Sequence, residues 1–387
     1  MSAKRLVSLF YFNDNIAGKD MFLVPKYLSE KLEMTCEFVF PKWKENENID
    51  SEYRGVKLTP IKSKSQYYST LWSEKEMLFW LVLHARKIDV LTLFWLNKRN
   101  ILFSFVYKFL NPQGVCYIKG DFNEKDMLNL SCKNENKFKA TVKNYLYKSI
   151  DVISAETYSV YHYIKYGNIG SILANKIEYL PNALDVNLLN DNNIKVKSFN
   201  EKKNHIITVG RIGSIQKNNE LMLDALKIVE LNDWEFYFIG SYENDFKTKY
   251  EEFVNEYPSK SKNVHLLGPV NNKLDLWNRY NDAKVFLLTS RFEGFPNVFP
   301  EALYFGNYIV TSNISSSIDV TNNGKIGKIL DENNIDNVVG ELNNVISGRV
   351  DLESKYNQTL DFSTKFDYNF VVKNVINKIL ARNEKNN

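Results

Sequence analysis

The sequence contains few cysteines and no long hydrophobic run. Its 387 residues include three cysteines, Cys36, Cys116 and Cys132, which are widely spaced and form no C-x-x-C pair. This set excludes a disulfide-stapled fold and disfavours a zinc site, and it predicts reduced thiols that pack in a core. No window approaches the roughly 18–20 uninterrupted apolar residues of a membrane-spanning helix, so we expect no transmembrane segment.

The net charge is also small. The 50 basic and 46 acidic side chains leave a formal charge of +4. Because no nucleic-acid-binding motif accompanies it, this balance disfavours a nucleic-acid partner. Residues 51–150 nevertheless hold 17 basic and 8 acidic residues. This segment predicts either an anionic partner, such as a phosphate-bearing ligand or a membrane surface, or a lysine-rich solvated surface.

A short apolar run follows the basic N-terminus. Leu6–Phe12 spans seven residues, stops at Asn13-Asp14 and is followed by no small-residue cleavage site. A secretory signal peptide needs a longer apolar region and such a site. We therefore interpret Leu6–Phe12 as a first buried β-strand and expect a cytoplasmic protein.

Short apolar runs alternate with longer amphipathic segments along the whole chain, which is typical of βαβ units and a parallel sheet. The length exceeds the roughly 250–300 residues at which a single core stops growing, so we expect two α/β domains. The asparagine- and lysine-rich stretch 186–204 is the predicted linker, because it offers little apolar surface to bury. The predicted domains are 1–185 and 205–365, and a last helix in 366–387 is expected to pack back toward the first.

Twelve apolar runs predict the strands of the two sheets: Leu6–Phe12, Cys36–Pro41, Val90–Trp95, Val115–Lys119, Val152–Ala155, Ile177–Leu180, His205–Gly210, Glu235–Gly240, His265–Leu267, Val285–Thr289, Tyr308–Ser312 and Gly327–Leu330. Four aromatic residues at helical spacing in the first half, Phe79, Trp80, Phe103 and Phe105, are interpreted as core. Because ligands bind outside the carboxyl ends of parallel strands, two such domains predict a cleft between their loops.

The second domain begins with a strand, a loop and a helix that together suit an anion. The strand ends at Gly210, the helix begins near Asn218, and Arg211 and Lys217 lie between them. Arginine can grip phosphate oxygens in bidentate fashion, lysine adds a point charge, and the helix N-terminus adds its dipole. The pattern predicts a diphosphate site; the alternative is two surface cations in an ordinary loop.

A second segment, Ser290–Leu303, joins an apolar strand to a helix through a Gly/Pro turn. Gly294 lets the backbone approach a ligand closely. The backbone from Phe295 through Pro296 and Asn297 to Val298 lies where the helix starts, and all of these residues except the proline offer an N–H there. Glu293 lies on the loop and Glu301 about two turns further on. Two carboxylates around a turn suit a hydroxyl-rich ligand; alternatively, Glu301 is a buried helix residue or a surface residue.

These motifs resemble those of the retaining nucleotide-sugar glycosyltransferases of the GT-B fold, family 4, also called glycosyltransferase group 1. The spacing Glu293-x7-Glu301 is similar to that family's E-x7-E motif. Three further segments match its order: Gly210-Arg211 with Lys217, Pro181–Asp185, and Gly324–Gly327. The specific matches cover about residues 177–330. The resemblance implies an α/β GT-B fold, in which two Rossmann-like parallel-sheet lobes face each other across a cleft.

The resemblance also implies roles for individual residues. Arg211 and Lys217 would hold the donor diphosphate and stabilise the leaving group without a metal. Glu301 would bind the ribose hydroxyls, and Glu293 would hold the donor sugar with the amides that follow it, in a loop comprising Gly294, Phe295, Pro296, Asn297 and Val298. The expected co-substrate is a nucleotide sugar, with a UDP-sugar favoured on family frequency, and no other cofactor is expected.

The first lobe departs from the family pattern. The loop after the first strand usually carries paired glycines, whereas here Ala17 and Gly18 stand before the helix that starts at Asp20. These two residues are the predicted phosphate or acceptor loop, because Gly18 can still bring backbone amides to either group. The four histidines, at positions 84, 162, 205 and 265, all fall outside the usual acceptor-side position. Asp121 follows the matching strand and is the candidate for orienting the acceptor, with a surface turn residue as the alternative.

The expected function is transfer of a sugar to a glycan or lipid-linked acceptor in bacterial cell-surface polysaccharide or glycoconjugate synthesis. The basic, aromatic-rich first lobe suggests peripheral contact with an anionic membrane at its cytoplasmic face. An epimerase would need clear carboxylate and histidine groups for proton abstraction, and a phosphorylase would be far larger. The remaining alternative is a non-catalytic GT-B partner subunit, which would be free to lose the two cations and the two glutamates that this sequence retains.

Overall fold

The computed structural model describes residues 3–13, 16–42, 49–63, 71–122, 130, 136–330 and 334–386. The chain forms two compact units, one comprising Met1–Ala183 and Tyr368–Asn387 and the other Leu184–Asp367. The stretch 186–204, predicted as a linker, lies in the second unit. There Asp185 caps helix α6, Val186–Asp191, and Leu189 is buried in the core of that unit.

The first unit is built on an eight-stranded sheet with the order β3-β4-β2-β1-β5-β6-β7-β8. The β3–β4 pair is antiparallel and the other neighbours are parallel. Its central strands are almost completely buried because a parallel sheet is covered by helices on both faces. The strands are β1 Arg5–Leu9, β2 Thr35–Pro41, β3 Glu52–Tyr53, β4 Val56–Ile61, β5 Val90–Phe94, β6 Val115–Lys119, β7 Val152–Ala155 and β8 Ile177–Tyr179.

Seven helices of the first unit lie within the described residues: α1 Asp20–Lys31, α2 Leu71–His84, α3 Lys98–Leu110, α4 Lys137–Tyr147, α5 Tyr158–Tyr166, α15 Tyr368–Val371 and α16 Lys373–Asn386. The last helix is part of this core: Val375 and Ile379 are fully buried with the strands of the first sheet. The first unit is therefore closed by residues from the end of the sequence.

The second unit is built on a six-stranded parallel sheet with the order β11-β10-β9-β12-β13-β14. Its strands are β9 Lys203–Val209, β10 Glu235–Ile239, β11 Val264–Gly268, β12 Ala283–Leu288, β13 Tyr308–Ser312 and β14 Gly327–Leu330. Besides α6, its helices are α7 Asn219–Ile228, α8 Asn244–Glu256, α9 Pro258–Ser261, α10 Lys273–Asp282, α11 Val298–Tyr304, α12 Ser317–Val320, α13 Ile335–Ile346 and α14 Leu352–Ser363.

One sequence-based interpretation of the core is wrong. Phe79 and Phe105 were expected to be buried, but they are 66% and 36% exposed. The reason is helix geometry: on α2 the buried positions are Met77 and Leu81, one turn apart, and Phe79 lies about half a turn from both. Phe103 is buried as expected, and Trp80 packs partly buried against the same core.

Cys36 and Cys116 are buried free thiols, while Cys132 lies outside the described residues. In the part of the chain that the structure describes, no helix has the length and apolar character needed to cross a bilayer.

Candidate active site

The strand order of the second sheet reverses between β9 and β12, which are hydrogen-bonded neighbours. Their carboxyl ends therefore lie side by side. In open parallel sheets this reversal is the point at which ligands bind, because the following loops diverge and leave a crevice. The two segments singled out by the sequence, 210–218 and 290–303, leave the sheet from these two strands.

Hydrogen bonds join the two loops. The Thr289 hydroxyl donates to the Asn218 carbonyl at 2.9 Å, and the Arg291 amide donates to the Gln216 carbonyl at 2.8 Å. The Arg291 guanidinium also donates to the Asn218 side-chain oxygen at 2.6 Å. Sequence reasoning missed Arg291, because nothing in the local pattern shows that it reaches a loop more than seventy residues away.

The contact at the centre of the site joins Lys217 to Glu293. The lysine Nζ lies 2.7 Å from the glutamate Oε1, and both side chains are largely shielded from water, at 16% and 12% exposed. The Ser290 hydroxyl donates to the same carboxylate oxygen at 3.1 Å. Gly210 makes room for this arrangement, since a Cβ there would lie 3.2 Å from Lys217 Cε. A predicted cation and a predicted sugar-binding carboxylate are thus in direct contact.

Arg211, the other predicted cation, points to a different carboxylate. Its side chain is 61% exposed, and its Nε lies 3.9 Å from Glu243 Oε1 at the start of α8. A surface pair of this kind contributes little to stability, so the guanidinium can turn toward a ligand at small cost. The structure therefore brings Lys217 against Glu293 and leaves Arg211 on the exposed side of the same loop.

The second carboxylate of the motif is also held by a lysine. Glu301 lies on α11 with its side chain 6% exposed, and the Lys273 ammonium at the start of α10 contacts its Oε1. Lys273 also lies over the Trp277 ring, 5.5 Å from its centroid. A buried carboxylate needs such a partner to remain charged. Sequence reasoning missed Lys273, because the two residues come from different βα units.

The turn between the two glutamates is fixed by its own contacts. The Ser315 hydroxyl donates to the Glu293 carbonyl at 2.7 Å and to the Gly294 carbonyl at 3.2 Å. Phe295 is buried, and its ring lies 5.7 Å from that of Phe366. Asn297 occupies the N-cap position of α11. Phe295 thus anchors the turn by packing, and the backbone rather than this side chain is available to a ligand.

The predicted residues of the first unit have less defined surroundings. Ala17 is buried, and a Cβ added to Gly18 would meet no atom within 4 Å, so the fold itself does not require glycine there. Asp121 is exposed and accepts a hydrogen bond from Trp95 Nε1 at 3.4 Å. Trp95 follows β5 directly and has a positive φ of 68°, which a bulky residue rarely adopts and which costs energy.

A buried charge cluster beside these residues was not predicted. Lys119, at the end of β6, is 1% exposed; its ammonium lies 2.8 Å from Asp20 Oδ2, donates to Asn182 Oδ1 at 3.1 Å and contacts the Glu156 carboxylate. Although burial opposes the charge, the two carboxylates raise the pKa of Lys119. Burial raises the pKa of Glu156 to about 8. The cluster ties α1 to the carboxyl ends of β6, β7 and β8.

Residues 190–360 match the family described as glycosyl transferases group 1. We call these residues the group 1 domain, after the family that they match. The group 1 domain contains both loops and both lysine–glutamate contacts, and the match confirms the resemblance to glycosyltransferase group 1 that was drawn from the E-x7-E spacing.

Two curated relatives are similar in sequence to parts of the chain. A Staphylococcus aureus protein named capsular polysaccharide biosynthesis glycosyltransferase CapH is 33% identical over 128 residues, covering 32% of this chain and 34% of the relative. An Escherichia coli UDP-Gal:alpha-D-GlcNAc-diphosphoundecaprenol alpha-1,3-galactosyltransferase is 31% identical over 187 residues, 45% of this chain and 46% of the relative. The chain thus spans less than half the length of both.

The fold extends beyond the group 1 domain. The crystal structure of Anabaena Alr3699/HepE in complex with UDP matches with a TM-score of 0.68 at 12% identity, and the match covers 98% of this chain and 100% of that chain. A structural match at an identity this low shows the fold alone. Together with the two parallel-sheet units, it confirms the predicted α/β GT-B fold.

Proposed function

We propose that this chain is a retaining glycosyltransferase that moves a sugar from a UDP-sugar to a glycan or lipid-linked acceptor in bacterial cell-surface polysaccharide synthesis. The observation that carries the proposal is the contact between Lys217 and Glu293 at the point where the strand order reverses. Phosphate and sugar are adjacent groups of a nucleotide sugar, so a cation and a carboxylate in contact suit their junction. The CapH name and the galactosyltransferase name support the setting.

Different residues of the group 1 domain bind different groups of the donor. Lys217 and Arg211 hold the diphosphate and stabilise the charge that develops on it as its bond to the sugar breaks. Glu293 and the backbone from Gly294 to Val298 hold the sugar hydroxyls, and Glu301 holds the ribose. The acceptor hydroxyl attacks from the face that the diphosphate leaves, and its proton passes to the departing phosphate oxygen. Asp121, in the first unit, orients the acceptor.

UDP is expected to raise the melting temperature of the protein more than ADP or GDP does. UDP is favoured because the E. coli relative is named for UDP-Gal and Alr3699/HepE was solved with UDP. At a concentration of about 100 times Kd, bound nucleotide adds roughly 2.7 kcal/mol to the free energy of unfolding. Differential scanning fluorimetry measures the shift, which Lys217→Ala and Glu301→Gln should reduce. The exposed substitution Glu230→Gln is the matched control. Equal shifts with all three nucleotides would contradict UDP specificity.

Sugar transfer is expected to continue in excess EDTA. The reason is that lysine and arginine supply the positive charge that Mg²⁺ supplies in other phosphoryl sites. Within the described ranges, no group of three or more His, Cys, Asp and Glu side chains is arranged to hold a metal ion. Release of UDP from UDP-galactose gives the rate. A rate that EDTA abolishes and Mg²⁺ or Mn²⁺ restores would show that the enzyme needs a metal.

A lipid-linked acceptor places the enzyme at the cytoplasmic face of the membrane, as a peripheral protein. The name of the E. coli relative includes a diphosphoundecaprenol acceptor, which supports this part of the proposal. The excess of lysine and arginine in residues 51–150 suits an anionic surface.

A further inference from the structure

Three helices of the first unit carry large apolar side chains that the other described residues of the unit leave exposed. Soluble proteins rarely expose many such residues together, and a contiguous group marks an interaction surface. These nine side chains, each between 36% and 77% exposed, form what we call the apolar face: Phe79, Val82 and Leu83 on α2, Leu102, Phe105 and Phe109 on α3, and Phe138, Val142 and Tyr145 on α4.

The apolar face is a continuous surface. On α3 and α4 the members are separated by three, four or seven positions, and on α2 Val82 and Leu83 lie three and four positions after Phe79; this spacing puts the members of each helix on one side. Helix α2 contacts α3, and α3 contacts α4. The Phe105 and Tyr145 rings, 6.3 Å apart, join the stripes of α3 and α4 directly. The opposite sides of the helices supply core residues such as Met77, Phe103 and Tyr147.

The same three segments are strongly basic. Residues 71–87, 98–110 and 137–148 contain ten lysines and arginines but two acidic residues, Glu74 and Glu76. Lys139 and Lys143 line the groove between α3 and α4 together with Phe138 and Val142. The Lys148 ammonium lies 5.9 Å from the centre of the Tyr145 ring. Apolar and cationic groups therefore alternate within the face instead of occupying separate parts of it.

We propose that the apolar face lies on an anionic lipid bilayer, with its phenylalanines among the acyl chains and its lysines at the phosphate groups. Lysine is depleted in the cores of protein–protein interfaces, whereas lysine beside phenylalanine and leucine is typical of helices that lie in a bilayer surface. This inference deepens the membrane part of the proposed function, and it rests on that function for the reason why the enzyme would bind a membrane. The contacts that support it lie entirely within the first unit.

Co-sedimentation with vesicles tests the proposal. The wild-type chain should bind phosphatidylcholine vesicles that contain phosphatidylglycerol at least about tenfold more tightly than pure phosphatidylcholine vesicles, at about 0.15 M ionic strength. The variant Phe105→Ser/Phe109→Ser/Phe138→Ser should lose that binding. The charge-reversal variant Lys137→Glu/Lys139→Glu/Lys148→Glu should lose the preference for phosphatidylglycerol.

A second triple variant is the matched control, because its three residues are exposed to a similar degree elsewhere: Ile228→Ser/Phe370→Ser/Leu380→Ser should bind as the wild type does. The proposal is overturned if the wild type does not bind anionic vesicles, or if the variant on the apolar face still does. Self-association that this variant abolishes, without vesicle binding, would identify a second copy as the occupant. The UDP-induced melting shift, measured in every variant, reports separately on the proposed function.

Discussion

Replacing Lys217 by alanine is expected to lower kcat/KM for sugar transfer by roughly 10²-fold or more, which corresponds to about 3 kcal/mol of transition-state stabilisation. Glu293→Ala is expected to have an effect of the same size. Because the Nζ and Oε1 atoms are 2.7 Å apart, each substitution also removes the partner of the other residue. The double variant should therefore lose less than the product of the two single losses.

The kinetic measurement is the initial rate of UDP release with a UDP-sugar donor and an acceptor. Lys247→Ala is the matched control, since Lys247 makes an exposed pair with Glu251 on α8. Circular dichroism separates a loss of activity from a loss of folding. Wild-type activity in both single variants would remove these residues from the mechanism. A wild-type chain that is inactive but raises the activity of another transferase would support the non-catalytic partner subunit.

Lys119→Met is expected to lower the stability of the first unit by about 3–5 kcal/mol, the usual cost of leaving a buried charge without its partner. Asp20 would then lose its cation, and Asn182 Oδ1 would lose the 3.1 Å hydrogen bond that Lys119 donates to it in the wild type. Native-state hydrogen exchange of the β6 and β7 amides gives the free energy of opening for this unit alone. Lys31→Met, at an exposed lysine of α1, should change it little.

Glu156→Gln is expected to change how the free energy of unfolding of the first unit depends on pH. Burial raises the pKa of Glu156 from 4.5 to about 8. The folded protein therefore holds a proton on this group, between those values, that the unfolded chain has lost. The contribution to the free energy of unfolding is fully present below pH 4.5 and is lost as the pH rises through 8. A glutamine side chain at this position cannot titrate, so the variant should lack this dependence; an unchanged pH profile would contradict the assignment.

The sequence was most informative where burial is continuous. Strands β6, β7, β13 and β14 were predicted to the residue, and in the first three of them every residue is buried, as is usual in a parallel sheet. The antiparallel pair β3–β4 was missed, since Glu52–Ile61 mixes charged and apolar residues and half of β4 faces away from the core. The exposed position of Phe79 was also missed, because composition cannot tell which side of an aromatic-rich helix meets the sheet.

For the candidate site, the spacing of Glu293 and Glu301 was enough to predict the segment but not its partners. The contacts of Lys217 with Glu293 and of Lys273 with Glu301 depend on which strands are neighbours, a property of the fold rather than of the local sequence. Likewise, Lys119 reads as an ordinary strand end until β6, β7 and α1 bring Asp20 and Glu156 to it.

The return of the chain to the first unit has a consequence for synthesis on the ribosome. Residues 184–367 are contiguous, and their ends meet: the Leu184 amide donates to the Phe366 carbonyl at 2.7 Å. The core of the first unit needs Val375 and Ile379 of α16, which are made almost two hundred residues after its last strand, Ile177–Tyr179. Domains generally fold as units during synthesis. The second unit, although later in the sequence, is therefore the first to be complete. Until α16 is made, the first unit exposes hydrophobic surface that chaperones can bind.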